Sequence, residues 1–176
     1  MKNCIIHRLK TKSYGEVLEM QKSLFEENIQ LKRSQKQTTN HLLVVEHPHV
    51  YTFGKHAKSN HLLASPEYLE SMGAEIHYIE RGGDITYHGP GQLVVYPIFD
   101  LESLNIGIKS YVEKIEAVII DVLNHYGIDA GIISDRIGVW IGIGTPNERK
   151  IAAIGIKSSR YITMHGLALN VNTDLN

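Results

Sequence analysis

Cysteine is nearly missing: Cys4 is the single thiol in 176 residues. One thiol excludes an internal disulfide framework and any metal centre built from several cysteines. Beside Ile5 and Ile6, in an expected first strand, Cys4 reads as a small apolar filler, with a nucleophile as the rarer alternative. Long apolar runs are missing too. The longest have the length of a strand, far short of the ~20 residues that span a bilayer. The N-terminus "MKNCIIHRLKTKSYGE" has no sustained apolar segment with a small-residue cleavage site, so a cytoplasmic protein with no membrane partner is expected. Charge of one sign is not in excess. With 18 basic against 19 acidic residues, the net charge of −1 provides no global attraction to nucleic acid or an anionic surface. Internal repeats and low-complexity tails are absent from the sequence as well.

What is present is ordinary for a globular protein: 43% hydrophobic and 21% charged residues. A chain of this length makes one sizeable domain that buries roughly 70% of the surface its unfolded form exposes. "YGEVLEMQKSLFEENIQLKRSQKQ" spaces Val17, Met20, Leu24 and Leu31 as an amphipathic helix, with Phe25 widening the stripe. "HLLVVEHP" follows as a buried strand, and "VYTFGKHAKSNHLLA" as an irregular segment. Ser65 and Pro66 announce a short helix that stops near Gly73. "AEIHYIE" alternates as a strand. "IKSYVEKIEAVIIDVLNHYGI" is the clearest helix, with Val112, Ile115, Ile119, Val122 and Tyr126 on one face and Gly127 as its stop. The last third reads as a meander of "GVWIGIG", "KIAAIGIK", "RYITMHG" and "LALNVN". This irregular mixture predicts an α+β fold, a mixed sheet flanked by helices, over regular βαβ alternation.

The segment that points to chemistry is "RGGDITYHGPGQLVVYPI". Any one of Gly82, Gly83, Gly89 and Gly91 is explained by a turn. Together, around Arg81, Asp84, Thr86, Tyr87 and His88, they suggest a loop whose bare backbone lets a ligand approach. It matches neither the phosphate-loop pattern nor the dinucleotide fingerprint, so nucleotide binding is disfavoured. His47 and His49 lie two apart and would share a strand face as metal ligands might, but Pro48 and the lack of a third ligand favour a surface or turn role. Lys150 opens the run "IAAIGI". It is either a strand-end lysine snorkelling to water or one whose pKa is lowered by partial burial, able to accept a proton near neutral pH. His165, between Met164 and Gly166, fits a core or a site equally.

In this order, "EHPHVYTFGK", "RGGDITYHGPGQLVVYPI", "RKIAAIGIK" and "MHGLALNVNTDL" resemble the motifs of the octanoyltransferases of lipoate biosynthesis, the lipoyl(octanoyl) transferases. The resemblance covers most of the chain. It implies a fold shared with biotin and lipoate protein ligases. It implies transfer of an octanoyl group from octanoyl acyl carrier protein, through a cysteine thioester, to a lysine of lipoyl domains of 2-oxoacid dehydrogenase complexes or of glycine-cleavage H protein, with no metal or other cofactor. The catalytic lysine falls on Lys150 and not on Lys157. The acyl-binding stretches fall on Arg81, Gly82, Gly83 and Asp84, continuing through Ile85, Thr86, Tyr87 and His88, then on Ala153, Ile154 and Gly155, and on Gly166, Leu167 and Ala168. His165 is raised to a supporting role.

The family's nucleophile lies in a Pro-Cys-Gly motif after the segment matching "LALNVNTDL", so the resemblance implies it beyond Asn176. The expectation is therefore a single catalytic domain over residues 1–176 whose C-terminal part is absent, with Cys4 no substitute. Two rivals stay open: an ATP-dependent lipoate or biotin ligase, and a non-catalytic module that binds acyl carrier protein or a lipoyl domain.

Overall fold

In the computed structural model, which describes residues 3–62 and 64–175, β1 (Cys4–Thr11) leads into α1 (Tyr14–Arg33) at Ser13. The Ser13 side chain accepts the Glu16 N–H, and its hydroxyl donates to the Glu16 carboxylate, so one orphan N–H of the first turn is answered locally. There follow β2 (Asn40–Glu46), β3 (Val50–Phe53), α2 (Pro66–Ser71), β4 (Glu75–Tyr78), β5 (Ile85–His88) and β6 (Gln92–Ile98). The chain continues with α3 (Ile108–His125), β7 (Ala130–Ile133), β8 (Arg136–Ile141), β9 (Arg149–Ser159) and β10 (Ile162–Asn170).

Among the described residues these strands form two sheets. The larger has the order β1-β2-β6-β10-β9-β8-β7, antiparallel except for the β1–β2 pair. The smaller has the order β4-β3-β5, parallel between β3 and β4 and antiparallel between β3 and β5. Helices cover the two faces of the larger sheet at different places. Val17, Leu18 and Phe25 of α1 pack with Leu43, Val45, Val94 and Tyr96, whereas Tyr111, Ile115, Ile119 and Leu123 of α3 pack with Val139, Ala152 and Leu169 on the other face. This is the α+β class with a mixed sheet between helices.

Several details depart from the sequence reading. β3 falls inside the segment expected to be irregular, because four residues are too few to show a period and its identity comes from pairing with β4 and β5. β7 was not expected either. "RYITMHG" and "LALNVN" are one strand, β10, which holds register with β9 through Gly166. The buried face of α3 is turned from the expected one: Tyr111 and Leu123 are inside, while Val122 and Tyr126 are exposed. On α1 the polar Gln21 and Asn28 are fully buried in place of Met20 and Leu31, which a search for apolar spacing passes over. Cys4 is no core filler. It lies on an edge strand and is exposed.

Candidate active site

The stretch between β4 and β6 carries the chain from the small sheet to the large one. β5 pairs with β3, and three residues later β6 lies between β2 and β10. The turn at Gly89, Pro90 and Gly91 is pinned. The Gly91 carbonyl accepts the N–H groups of Val171 and Asn172, and the Gly91 N–H donates to Glu46 Oε2 at 3.0 Å. With φ +80, and with Asn172 O only 2.5 Å from where a β-carbon would stand, position 91 needs glycine.

Upstream, the loop at Arg81 to Asp84 is tied to β9 and to β3 with the segment just after it. The Gly82 N–H donates to Ile156 O on β9, and the Arg81 carbonyl accepts the Lys55 N–H after β3. Arg81 turns inward and is buried. Its guanidinium donates to Thr52 O at 2.7 Å, Thr52 Oγ1 at 3.0 Å and Gly82 O at 2.9 Å. Gly155 supplies the room, since a β-carbon there would stand 3.1 Å from Arg81 Cδ.

These elements enclose a narrow slot between the two sheets. Its volume is about 30 Å³, and its wall is made by Tyr14, Arg81, Thr86, His88, Tyr96 and His165, closed by Ala153 to Gly155 and Gly166 to Ala168. A vestibule of about 330 Å³ adjoins it, with Arg81, Thr86, Ala153, Ile154 and Ala168 common to both walls. Lys150, Gly83, Asp84, Ile85 and Tyr87 line only the vestibule. Lys150, His165 and the residues of the expected acyl-binding stretches are thus brought together, apart from Gly82, whose part is to fasten the loop to β9. Tyr14 and Tyr96 escaped the sequence reading: one begins a helix and the other sits in an apolar strand, and neither neighbourhood signals a cavity.

Burial governs the electrostatics here. It lowers the pKa of His88 to about 4, despite a hydrogen bond to Gln92, and that of His165, aided by the Arg81 charge, to about 3, so both rings are neutral at neutral pH. His88 Nδ1 lies 2.7 Å from Gln92 Oε1 and therefore carries the hydrogen. Arg81, its own pKa depressed by burial, forms no ion pair with a carboxylate among the described residues. The pKa of Lys150 is also lowered, first by partial burial and then by Arg136. Its ammonium stands 4.8 Å from the centroid of the Trp140 ring, against which the Arg136 guanidinium also stacks at 3.7 Å.

The two histidines read as a pair do not share a face. His47 is fully buried, with Nδ1 donating to Lys12 O and Nε2 accepting from the Tyr96 hydroxyl at 2.9 Å, whereas His49 meets the Tyr87 hydroxyl at the surface. Of the surface or turn role expected, the surface part is corrected for His47: β2 ends at Glu46, and in the turn that follows a buried donor and acceptor hold the ring. Among the described residues no group of three or more His, Cys, Asp or Glu side chains could hold a metal.

Solved structures share this mixed sheet flanked by helices. The bi-partite lipoate protein ligase of Thermoplasma acidophilum superposes with a TM-score of 0.68 at 19% identity, over 99% of this chain and 64% of that one. Residues 13–176 match the family model of the lipoyl protein ligase A/B catalytic domain. The octanoyltransferase of Bacteroides thetaiotaomicron is 48% identical over 162 residues, which is 92% of this chain and 71% of that protein. The Flavobacterium johnsoniae octanoyltransferase is 47% identical over 173 residues, covering 95% and 75%. The chain belongs to the octanoyltransferases, acyltransferases within the lipoyl protein ligase A/B family.

Proposed function

We propose that the slot receives an octanoyl chain whose carbonyl stays in the vestibule beside Lys150. The donor in this reading is octanoyl acyl carrier protein. The acceptor is a lysine of a lipoyl domain of a 2-oxoacid dehydrogenase complex, or of glycine-cleavage H protein. One observation carries the reading: a slot with a mainly apolar surface shares its wall with a vestibule that Lys150 lines.

The resting slot has room for about two water-sized spheres. An acyl chain therefore enters by parting the walls. In the first half-reaction a cysteine thiolate attacks the donor thioester carbonyl, and the carrier thiolate leaves with a proton from the Lys150 ammonium. In the second, the acceptor amine attacks the enzyme thioester, the amide forms and the cysteine sulfur departs, while neutral Lys150 takes the proton of the amine. Substrate-binding roles go to Arg81 through His88, Ala153 through Gly155 and Gly166 through Ala168, with His165 in support. The cysteine of this proposal lies C-terminal to Asn176. Cys4 is unsuited, because β1 stands four strand spacings from β9, about 19 Å.

The test is a transfer assay on the full-length protein, with octanoyl acyl carrier protein, a lipoyl domain and no ATP, read as the octanoyl mass added to the domain. Lys150→Ala should lower the rate at least ~100-fold while the far-ultraviolet spectrum is unchanged. A wild-type rate in that variant removes Lys150 from the mechanism. Octanoylation only from free octanoate with ATP would establish the ligase reading instead.

A further inference from the structure

The lining of the slot carries unpaired polar atoms. Tyr14 is 1% exposed and His165 3%, yet Tyr14 Oη and His165 Nδ1 have no hydrogen-bond partner among the described residues. A third orphan, Gln21 Nε2, belongs to the side chain whose Oε1 accepts the His165 N–H at 2.9 Å. Their neighbours are already engaged: Tyr96 with His47, His88 with Gln92, and Arg81 with Thr52 and Gly82. Buried polar atoms left unpaired are costly, and a space of about 30 Å³ between such groups suits one or two waters.

Position in the slot gives these atoms a consequence. Tyr14 and His165 line the slot and not the vestibule, whereas Lys150 lines the vestibule and not the slot. A chain with its carbonyl beside Lys150 therefore points its tail at Tyr14 and His165. We propose that Tyr14 Oη and His165 Nδ1 hold buried water at the inner end of the slot, and that this polar stop sets the longest acyl chain the site accepts. The inference rests on the acyl-slot reading above. Each methylene that reaches apolar wall strengthens binding about fourfold, and the gain ends where the next one must displace hydrogen-bonded water.

Calorimetric titration with N-acetylcysteamine thioesters of six to twelve carbons tests this on wild-type protein and on Tyr14→Phe, which keeps the ring and removes the hydroxyl. Wild-type affinity should climb with length and then stop climbing. In Tyr14→Phe the break should move outward by two carbons, with about fourfold tighter binding of the first length that the wild type resists. An identical break in both proteins overturns the polar stop. Wild-type protein that binds no thioester of any length overturns the acyl-slot reading itself, a separate outcome. Independently of any variant, a high-resolution crystal structure of the ligand-free protein should show water between Tyr14 Oη and His165 Nδ1. A dry space there overturns the proposal.

Discussion

Gly138 shows how a residue without a side chain positions one that has chemistry. Its φ is +119, and a β-carbon on it would stand 2.5 Å from Ala152 O and 3.3 Å from both Cδ and Cε of Lys150. Its N–H donates to buried Glu116 at 3.0 Å, so the backbone cannot retreat without breaking that bond. The stem of Lys150 passes over this bare backbone to bring its ammonium to Trp140. Gly138→Ala should therefore cost roughly 2 to 3 kcal/mol of stability, from backbone strain and overpacking together. It should also slow transfer by displacing the lysine. Urea unfolding and the transfer assay check the two effects. Unchanged stability would mean that β8 and β9 can separate at no cost.

At the scale of elements, β10 joins the site to the core. A β-carbon on Gly166 would stand 2.3 Å from Val95 O and 2.6 Å from Pro97 Cδ, so β10 approaches β6 more closely than side chains normally permit. His165 just before it has φ +60, a strained conformation for a residue with a β-carbon, and its N–H leaves the ladder for Gln21. Gly166→Ala should then cost about 3 kcal/mol and reduce thioester affinity together, whereas Gly155→Ala, meeting Gly82 O at 3.0 Å and Arg81 Cδ at 3.1 Å, has the looser contacts and should cost less. Denaturation midpoints order the two variants, and the reverse order would contradict the close approach. The same strand marks the limit of reading from sequence. Its glycine and histidine looked like the end of one strand and the start of another, because a local pattern cannot show that β6 lies alongside. α3 and β2 were legible because their apolar spacing is local. The motif residues were legible as a group, and their union with Tyr14 and Tyr96 was not, since that depends on α1 and β6 crossing at the slot.

Across the whole molecule, the slot makes stability depend on pH. His165 and His88 have folded pKa values of about 3 and 4, against an ordinary value of 6.5, and burial lowers those of His41 and His47 as well. At pH below 6.5 the unfolded chain binds protons that the folded protein refuses, so stability is fully present above that value and declines as pH falls towards the folded values. With two such groups the decline should approach about 2.7 kcal/mol per pH unit between pH 5.5 and 4.5. The carboxylates of Asp84 and Glu80 act in the same direction at lower pH: the hydrogen bond to His61 keeps the first ionised, and that to Lys157 the second. These carboxylates are exposed and add little. Urea unfolding at pH 7, 6, 5.5, 5 and 4.5 measures the slope. His165→Asn, a residue that tolerates the same left-handed backbone, removes one of the titrating rings and should reduce the slope by about one proton, half of the two-group value. A slope unchanged by that substitution would mean that the His165 ring already takes a proton in the folded protein, and that the inner end of the slot is open to water.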